Sequence, residues 1–581
     1  MCLACRDSAL GDSSAEGSEQ LVVLIEGGPS GTMIKGIRKG RADRIIGAVM
    51  GPFQRIVFLF AVTISMFGAY HNLIITAVAP KIDHWCARPP GYENLTVEEW
   101  KEMAIPMETR QGVQRYSQCQ RRDLDTNATV PCDSWEYDHT DYKSTIVDEW
   151  DLVCSRSWLV SLSQSVYMAG YMTSMIIFGQ LSDRIGRRTV ICIALSILLT
   201  AGFSTLLSQS FIAFISLRYF VSLGVSGVGA TSFVLLMEVV GPSMRSFFGL
   251  AYEFGWATGY LLHLKVAFFM RPFSELTWKV YVGQLGRTAG TASQVLPESP
   301  RWLMANKKFT RARQLIFDAV ERNDMDKEEA EVKFELLKKE FEKVSAQKPC
   351  SIKVTVFDLL KKPTLRKRTL ILYFCWFVNY LQRTTPCLST PMTLGGNPYL
   401  NFAIAGAVEF PAYAISIVII QKMGRRLSQS GCMLLAGIAC IVTIFFSDVR
   451  TLWVKITFAM IGKFLITASY GILYVYSAEI YPTVVRNVGV GSSSTIARFG
   501  AIIAPFVKEL GYATHENVPF GVYGGICILS GLTVLCLPET RGAQLPDTLV
   551  EGEEFKGPSS LPSKSTGVLE EEHKSAESPQ Q

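Results

Sequence analysis

Charge is scarce in this chain. Of its 581 residues only 19% are Asp, Glu, Lys or Arg, against 49% hydrophobic, and the apolar residues come in blocks. That excludes a soluble enzyme with one large core and indicates a polytopic membrane protein. Histidine is sparse too, with six in all, and no metal-binding pair is formed. No Walker sequence occurs, so neither hydrolytic chemistry nor ATP drive is indicated and no cofactor is expected. The net charge of +6 is small, and its basic residues lie beside apolar runs. They report orientation and not nucleic-acid binding. No apolar run follows Met1 closely enough for a cleaved signal peptide, so the first span is expected to act as the signal itself.

What is present begins with the turn Gly179-Gln-Leu-Ser-Asp183-Arg184-Ile-Gly186-Arg187-Arg188. It separates two apolar runs, 158–179 and 189–207, each near the ~20 residues that span hydrocarbon. So short a spacer forces an antiparallel hairpin. Gly179 and Gly186 are expected to permit close approach and the tight turn, and Asp183 to pair with the surrounding guanidinium groups. Arg184, Arg187 and Arg188 place the turn in the cytoplasm. The pattern G-x-x-x-D-R-x-G-R-R resembles the loop after the second helix of major facilitator transporters.

In chain order, residues 1–52 are polar and Gly/Ser-rich and predict a disordered cytoplasmic head, with Cys2 and Cys5 as ordinary thiols. A first span follows over 56–80. The loop 81–154 is rich in carboxylates and holds Cys86, Cys119, Cys132 and Cys154 together with the sequons at Asn94 and Asn127. Four cysteines, two sequons and an acidic balance predict an oxidised, glycosylated extracellular loop. Three disulfide pairings are open. Spans are expected at 189–207, 211–240 and 247–270, with Glu238 and Arg245 in a second cytoplasmic turn. The glycines Gly224, Gly227 and Gly229 predict close helix packing, not a phosphate loop. Residues 297–368 form a cytoplasmic loop with helical spacing at Phe334, Leu337 and Phe341.

The second half repeats the plan, with spans at 369–392, 400–420, 430–447, 452–476, 489–507 and 519–537. Its turn Met423-Gly424-Arg425-Arg426 echoes the first but has Gln421-Lys422 in place of Asp-Arg. The chain thus divides into an N-terminal six-helix bundle (53–296), the cytoplasmic loop, a C-terminal bundle (369–540) and a disordered acidic tail (541–581). The fold class is an all-α membrane protein of twelve spans with both termini cytoplasmic, as a major facilitator repeat requires.

Further segments sharpen the resemblance: Ser144–Cys154 before the second span, Pro297-Glu-Ser-Pro-Arg-Trp-Leu303, Gly395-Gly-Asn-Pro-Tyr-Leu-Asn401, Tyr476–Asn487 and Leu537-Pro-Glu-Thr-Arg541. Together they resemble the organic cation, carnitine and organic anion transporter family of solute carriers over residues 53–550. Two windows depart from it. Where the family has an apolar sixth span this chain has the polar run 284–295, and 382–393 replaces the end of the seventh. Codons for Arg383–Gly396 can be chosen so that a shifted frame reads DYALSLNTDDLGG, and the first window permits SLAELLGLLLRF before Leu296. Both windows are therefore read as out-of-frame translations, with real divergence as the alternative.

Charges inside spans mark function, because a buried ionisable group is costly unless paired or wet. Glu409 lies in span eight and Arg498 in span eleven. The resemblance implies that the glutamate position faces the central cavity, where it can contact a cationic headgroup. It also implies that a basic residue at the span-eleven position suits carboxylate-bearing substrates. A Glu409–Arg498 structural pair is the alternative. Trp376, Tyr380, Tyr470, Tyr474 and Phe499 are candidates to enclose a quaternary ammonium. Arg218, Glu253, Lys265 and Lys463 are secondary candidates, as gating partners or snorkelling groups. Asp183, Arg184, Arg187, Arg188, Glu238, Arg245, Arg425, Glu479 and Arg486 are expected to form a cytoplasmic gate that latches the outward-open state. The chain reads as a plasma-membrane, multi-pass, secondary-active transporter of small organic ions. Its expected partners are the substrate, the bilayer and a co-transported or exchanged ion. A carnitine-like zwitterion is the first choice of substrate, and a non-transporting receptor on the same fold is the alternative function.

Overall fold

The computed structural model describes residues 51–557 apart from 81, 111–112, 124–125, 141, 143, 241–244, 270–295, 324–326, 348–354, 389–397, 447–450, 483–484, 516, 544–545, 547–548 and 556. The expected head, the tail beyond 557 and the polar window 284–295, where a sixth span would fall, lie outside the described residues.

Helix α1 runs Pro52–Leu73, with Pro52 at its first position, where a missing N–H costs nothing. A short helical turn, Ile75–Val78, continues it to the outer end. Helices α2 (Trp158–Ile185), α3 (Arg187–Thr205), α4 (Phe211–Val239) and α5 (Arg245–Phe269) follow. Ser210 caps α4, its hydroxyl accepting from the Ala213 amide. The second set is α9 (Pro363–Leu388), α10 (Pro398–Ala407), α11 (Glu409–Met423), α12 (Arg425–Val442), α13 (Leu452–Ile480), α14 (Arg486–Ala513) and α15 (Val518–Val534), numbered after three connecting helices described below. Span eight is thus two helices that meet at Val408. Seven of the described helical spans are long and apolar enough to cross a membrane by length and composition alone. They include α1, α3, α4, the α10–α11 pair, α12, α13 and most of α14.

Packing sorts the helices into two groups. Helix α4 packs on α2 and α3 while α5 packs on α1; in the second group α12 packs on α13 and α15, and α9 on α14. Gly224 and Gly227 lie against the neighbouring helices as expected. A β-carbon at Gly224 would come within 2.9 Å of the Ala194 carbonyl, and one at Gly227 within 2.6 Å of the Phe178 ring. Gly229 meets only ordinary contact, and Gly179 meets nothing within 4 Å. The close approach expected at Gly179 is therefore absent, and the turn rests on Gly186 alone.

Between the groups lie α6 (Pro300–Ala305), α7 (Phe309–Arg322) and α8 (Lys327–Gln347). Trp302, Ile316, Val320, Phe334 and Leu337 share their core, so the expected periodicity at Phe334 and Leu337 is an inward face. A last short helix, α16 (Leu549–Glu554), docks on the start of α9. There the Glu553 carboxylate accepts from the Thr364 and Leu365 amides, and Arg368 donates to the Gly552 and Phe555 carbonyls.

The outer loop is an ordered cystine domain. Three antiparallel pairs form it: β1 (His84–Cys86) with β6 (Trp135–Tyr137), β2 (Met107–Arg110) with β3 (Val113–Tyr116), and β4 (Gln120–Arg122) with β5 (Thr129–Pro131). Of the three pairings open to the cysteines, the structure has Cys86–Cys132 and Cys119–Cys154. Trp100 is fully buried and donates to the Cys86 carbonyl at 2.9 Å.

Candidate functional site

The two turns expected on the cytoplasmic side are built alike. One residue, Gly186, separates α2 from α3, and its φ of +105° is a conformation that favours glycine. The Glu298 carboxylate caps the new helix, accepting from the Arg187 amide at 2.8 Å and the Arg188 amide at 3.2 Å. The buried Arg187 guanidinium grips Glu238 through Nε at 2.9 Å and Nη2 at 2.8 Å. It also reaches Asp183 at 3.1 Å. In the second turn Gly424 has φ +85°. Glu539 accepts from the Arg425 and Arg426 amides at 2.8 and 3.0 Å, and Arg425 pairs with Glu479 at 2.9 Å. Arg184 and Arg188 are exposed, Arg486 donates to the Tyr481 carbonyl at 3.4 Å, and the Arg245 side chain lies outside the described residues. These ion pairs join helices of one group to each other.

Contacts between the groups close the outer end. The Tyr142 and Tyr399 hydroxyls meet at 2.7 Å, Ser161 donates to Glu509, Ser165 donates to the Ile502 carbonyl at 2.7 Å, and Tyr260 stacks on Phe402.

Midway along α14 Arg498 lies between two rings, 4.3 Å from the centroid of Tyr171 and 4.2 Å from that of Tyr380. It is 7% exposed. It has no carboxylate partner among the described residues, and its buried Nε has no hydrogen-bond partner there. From Tyr380 the aromatic wall continues. Its hydroxyl lies 3.3 Å from that of Tyr470, and Trp376, Tyr470 and Tyr474 make edge contacts at 4.9–5.9 Å. The Trp376 indole is fixed by a 2.9 Å bond to Ser477. The acid on this wall is Glu253 of α5, which accepts from the Tyr413 hydroxyl at 3.3 Å and lies 3.8 Å from Arg383. The Arg383 guanidinium in turn covers Tyr470 at 4.2 Å. Glu409 is fully buried and takes Lys463 at 3.3 Å, with that ammonium over Tyr260 at 4.3 Å.

A cluster of aromatics and buried charge, where two helix groups with matching turns meet, is the design of a carrier. Residues 111–548 match the family model for sugar (and other) transporters. The chain is 34% identical over 529 residues to an organic cation transporter protein of Drosophila melanogaster, covering 87% of this chain and 93% of that one. It is 32% identical to organic cation/carnitine transporter 2 of Rattus norvegicus (87% and 92% covered) and 32% to a beta-alanine transporter of Drosophila melanogaster (87% of each). The chain belongs to this organic cation and carnitine transporter family. Among solved structures, the proton:xylose symporter bound to a bromo-deoxyglucose shares the fold with a TM-score of 0.56 at 15% identity, covering 85% of this chain and 98% of that one.

As a member of this family of solute carriers the protein is a multi-pass plasma-membrane transporter and not an enzyme. Its structure brings together Arg498, Trp376, Tyr380, Tyr470 and Tyr474, but not all the expected site. Phe499 is 45% exposed and faces away from the cluster. Glu409 has Lys463 as its ion-pair partner, so the alternative of a Glu409–Arg498 pair does not describe this arrangement. Lys265 is exposed. Two functional carboxylates were missed by sequence reasoning, the helix-capping Glu298 and Glu539. The signal was available in the repeated Pro-Glu after each half, at 297–298 and 538–539.

Proposed function

We propose that the transporter carries a small zwitterion of the carnitine or β-amino-acid kind, with Arg498 as the carboxylate anchor. The observation that carries this reading is the buried Arg498 guanidinium, held by stacking on Tyr171 and Tyr380 and lacking an acidic partner among the described residues. A guanidinium offers a fixed fork of donors that fits a carboxylate. The ammonium end would lie against Trp376, Tyr470 and Tyr474, with Glu253 as counter-charge. Glu409, neutralised by Lys463, would support the wall without touching substrate. The names of relatives, carnitine and beta-alanine carriers among them, agree with a substrate of both signs. A co-transported or exchanged ion would supply the drive, and the cytoplasmic turns would fix the helix ends that part and close during alternating access.

Arg383 bears on the same question. Its side chain occupies the place beside Tyr470 and Glu253 that the ammonium would take, and it lies in the polar window 382–393, of which residues 382–388 continue α9. In the shifted frame an aspartate stands there and Glu253 is released. Resequencing the transcript decides between the two forms. Uptake of labelled carnitine, β-alanine and a model organic cation, measured on both forms at equal surface level, tests the site. Arg498→Asp should abolish zwitterion uptake, since leaving a carboxylate unpaired in such a cavity costs roughly 2–5 kcal/mol, about 30-fold or more in affinity. It should spare or improve the cation, and Arg498→Lys should keep the preference with weaker binding. Zwitterion uptake left intact by Arg498→Asp at the surface would remove the anchor role.

A further inference from the structure

A second buried guanidinium lies away from the cavity. Arg218, two turns into α4 from the outer end, is fully buried. Its Nη2 donates to Gln164 Oε1 of α2 at 3.4 Å, while its Nε and Nη1 have no hydrogen-bond partner. The rings of Tyr167 and Phe214 cover it at 4.9 and 5.8 Å. The Tyr167 hydroxyl, also fully buried, has no partner either. Gln164 extends the polar cluster to Asn72 of α1 at 3.5 Å. Among the described residues no carboxylate pairs with Arg218. A full positive charge is thus buried among neutral neighbours with three free donor groups around it, two on the guanidinium and one on the phenol.

Such a charge is costly in hydrocarbon unless something neutralises it. Full burial and the two covering rings favour a compact ion over a substrate-sized carboxylate. We propose that Arg218 and Tyr167, steadied by Gln164 and Asn72, hold a compact inorganic anion, with chloride as the physiological candidate. The free donors come from α2 and α4, and Asn72 of α1 accepts from Gln164 behind them, so the site lies within one bundle. The anion would therefore bind that bundle and persist through the rocking of the two halves, as a fixed counter-charge and not as cargo.

The experiment uses the purified full-length transporter in nanodiscs, with thermal unfolding followed as sodium gluconate is replaced by sodium chloride at constant ionic strength. A saturable rise in melting temperature with chloride is expected, retained in Arg498→Gln and lost in Arg218→Gln. Loss in Arg498→Gln alone would put the anion in the central cavity and overturn the proposal. The same holds for a chloride response that survives Arg218→Gln, or for no response in the unmodified protein, which would mean that water alone satisfies the guanidinium. Should Arg218→Gln fail to fold, Tyr167→Phe decides. Removal of its one hydrogen bond should raise the chloride midpoint about tenfold, and an unchanged midpoint would count against the site.

Discussion

Three hydrogen bonds converge on the Glu136 carboxylate in the outer domain, from the Trp85 indole at 3.1 Å, the Arg88 amide at 3.1 Å and Arg88 Nε at 3.0 Å. Partial burial pushes this carboxyl up, but the Arg88 and Trp85 hydrogen bonds outweigh it and hold the group below its ordinary value of 4.5. A depressed carboxyl stabilises the folded state above the unfolded value, and that contribution fades as pH falls through the lower folded value. The melting temperature of Glu136→Gln should therefore fall short of the unmodified protein at pH 7, and the gap should close as pH drops below 4.5 toward the folded value. A gap independent of pH would assign the loss to packing. Single charges of this kind were visible in the sequence, but their partners were not. Arg498 and Phe499 show why. Neighbours on a helix are turned about 100° apart, so the residue beside a cavity-facing arginine looks outward. Which face is inward depends on helices far away in the chain. Glu409 met Lys463 instead of Arg498 for the same reason.

At the scale of elements, the apolar blocks were readable because each must fill the same thickness of hydrocarbon. The expected spans at 211–240 and 247–270 became Phe211–Val239 and Arg245–Phe269. Ends shifted where caps decide them: the 158–179 run continues to Ile185, since only Gly186 can break it. The short strands of the outer loop had no legible period, because each is only 3 or 4 residues long. In that domain Asn94 and Asn127 are both exposed, the latter at the β4–β5 hairpin with φ +53°. Glycosidase treatment is expected to shift gel mobility, and Asn94→Gln with Asn127→Gln to abolish that shift. Thr96 has two duties, completing the sequon and capping the helix Val97–Ala104 in a box with Glu99. Thr96→Ala should thus lose one glycan and also destabilise the domain by about 1 kcal/mol, whereas Asn94→Gln should lose the glycan only. Equal stability of the two variants would contradict the capping role.

Across the whole molecule, the repeat of turns and capping glutamates was legible as two halves, while the closed outer end was not. Its contacts, such as Tyr142 with Tyr399, join residues 257 apart in sequence. The repeat is also unequal. Arg187 is held by two carboxylates, Asp183 and Glu238, but Arg425 pairs with Glu479 alone among the described residues. The missing aspartate is the Gln421-Lys422 substitution. In mechanical terms the two ends differ in compliance: one turn arginine is pinned by carboxylates from two directions, the other from one. Local opening should then be cheaper in the second half, by about the 1.5–3 kcal/mol of a charged hydrogen bond before screening. Hydrogen exchange read by mass spectrometry should show peptides around 425–428 exchanging tenfold or more faster than those around 187–190. Asp183→Asn should bring the two rates together and slow turnover more than it lowers surface abundance. If both turns exchange alike in the unmodified protein, the lost carboxylate has no mechanical effect. If they differ, the structural half that yields first as the cytoplasmic side opens is the C-terminal one, and the N-terminal half serves as the frame against which it moves.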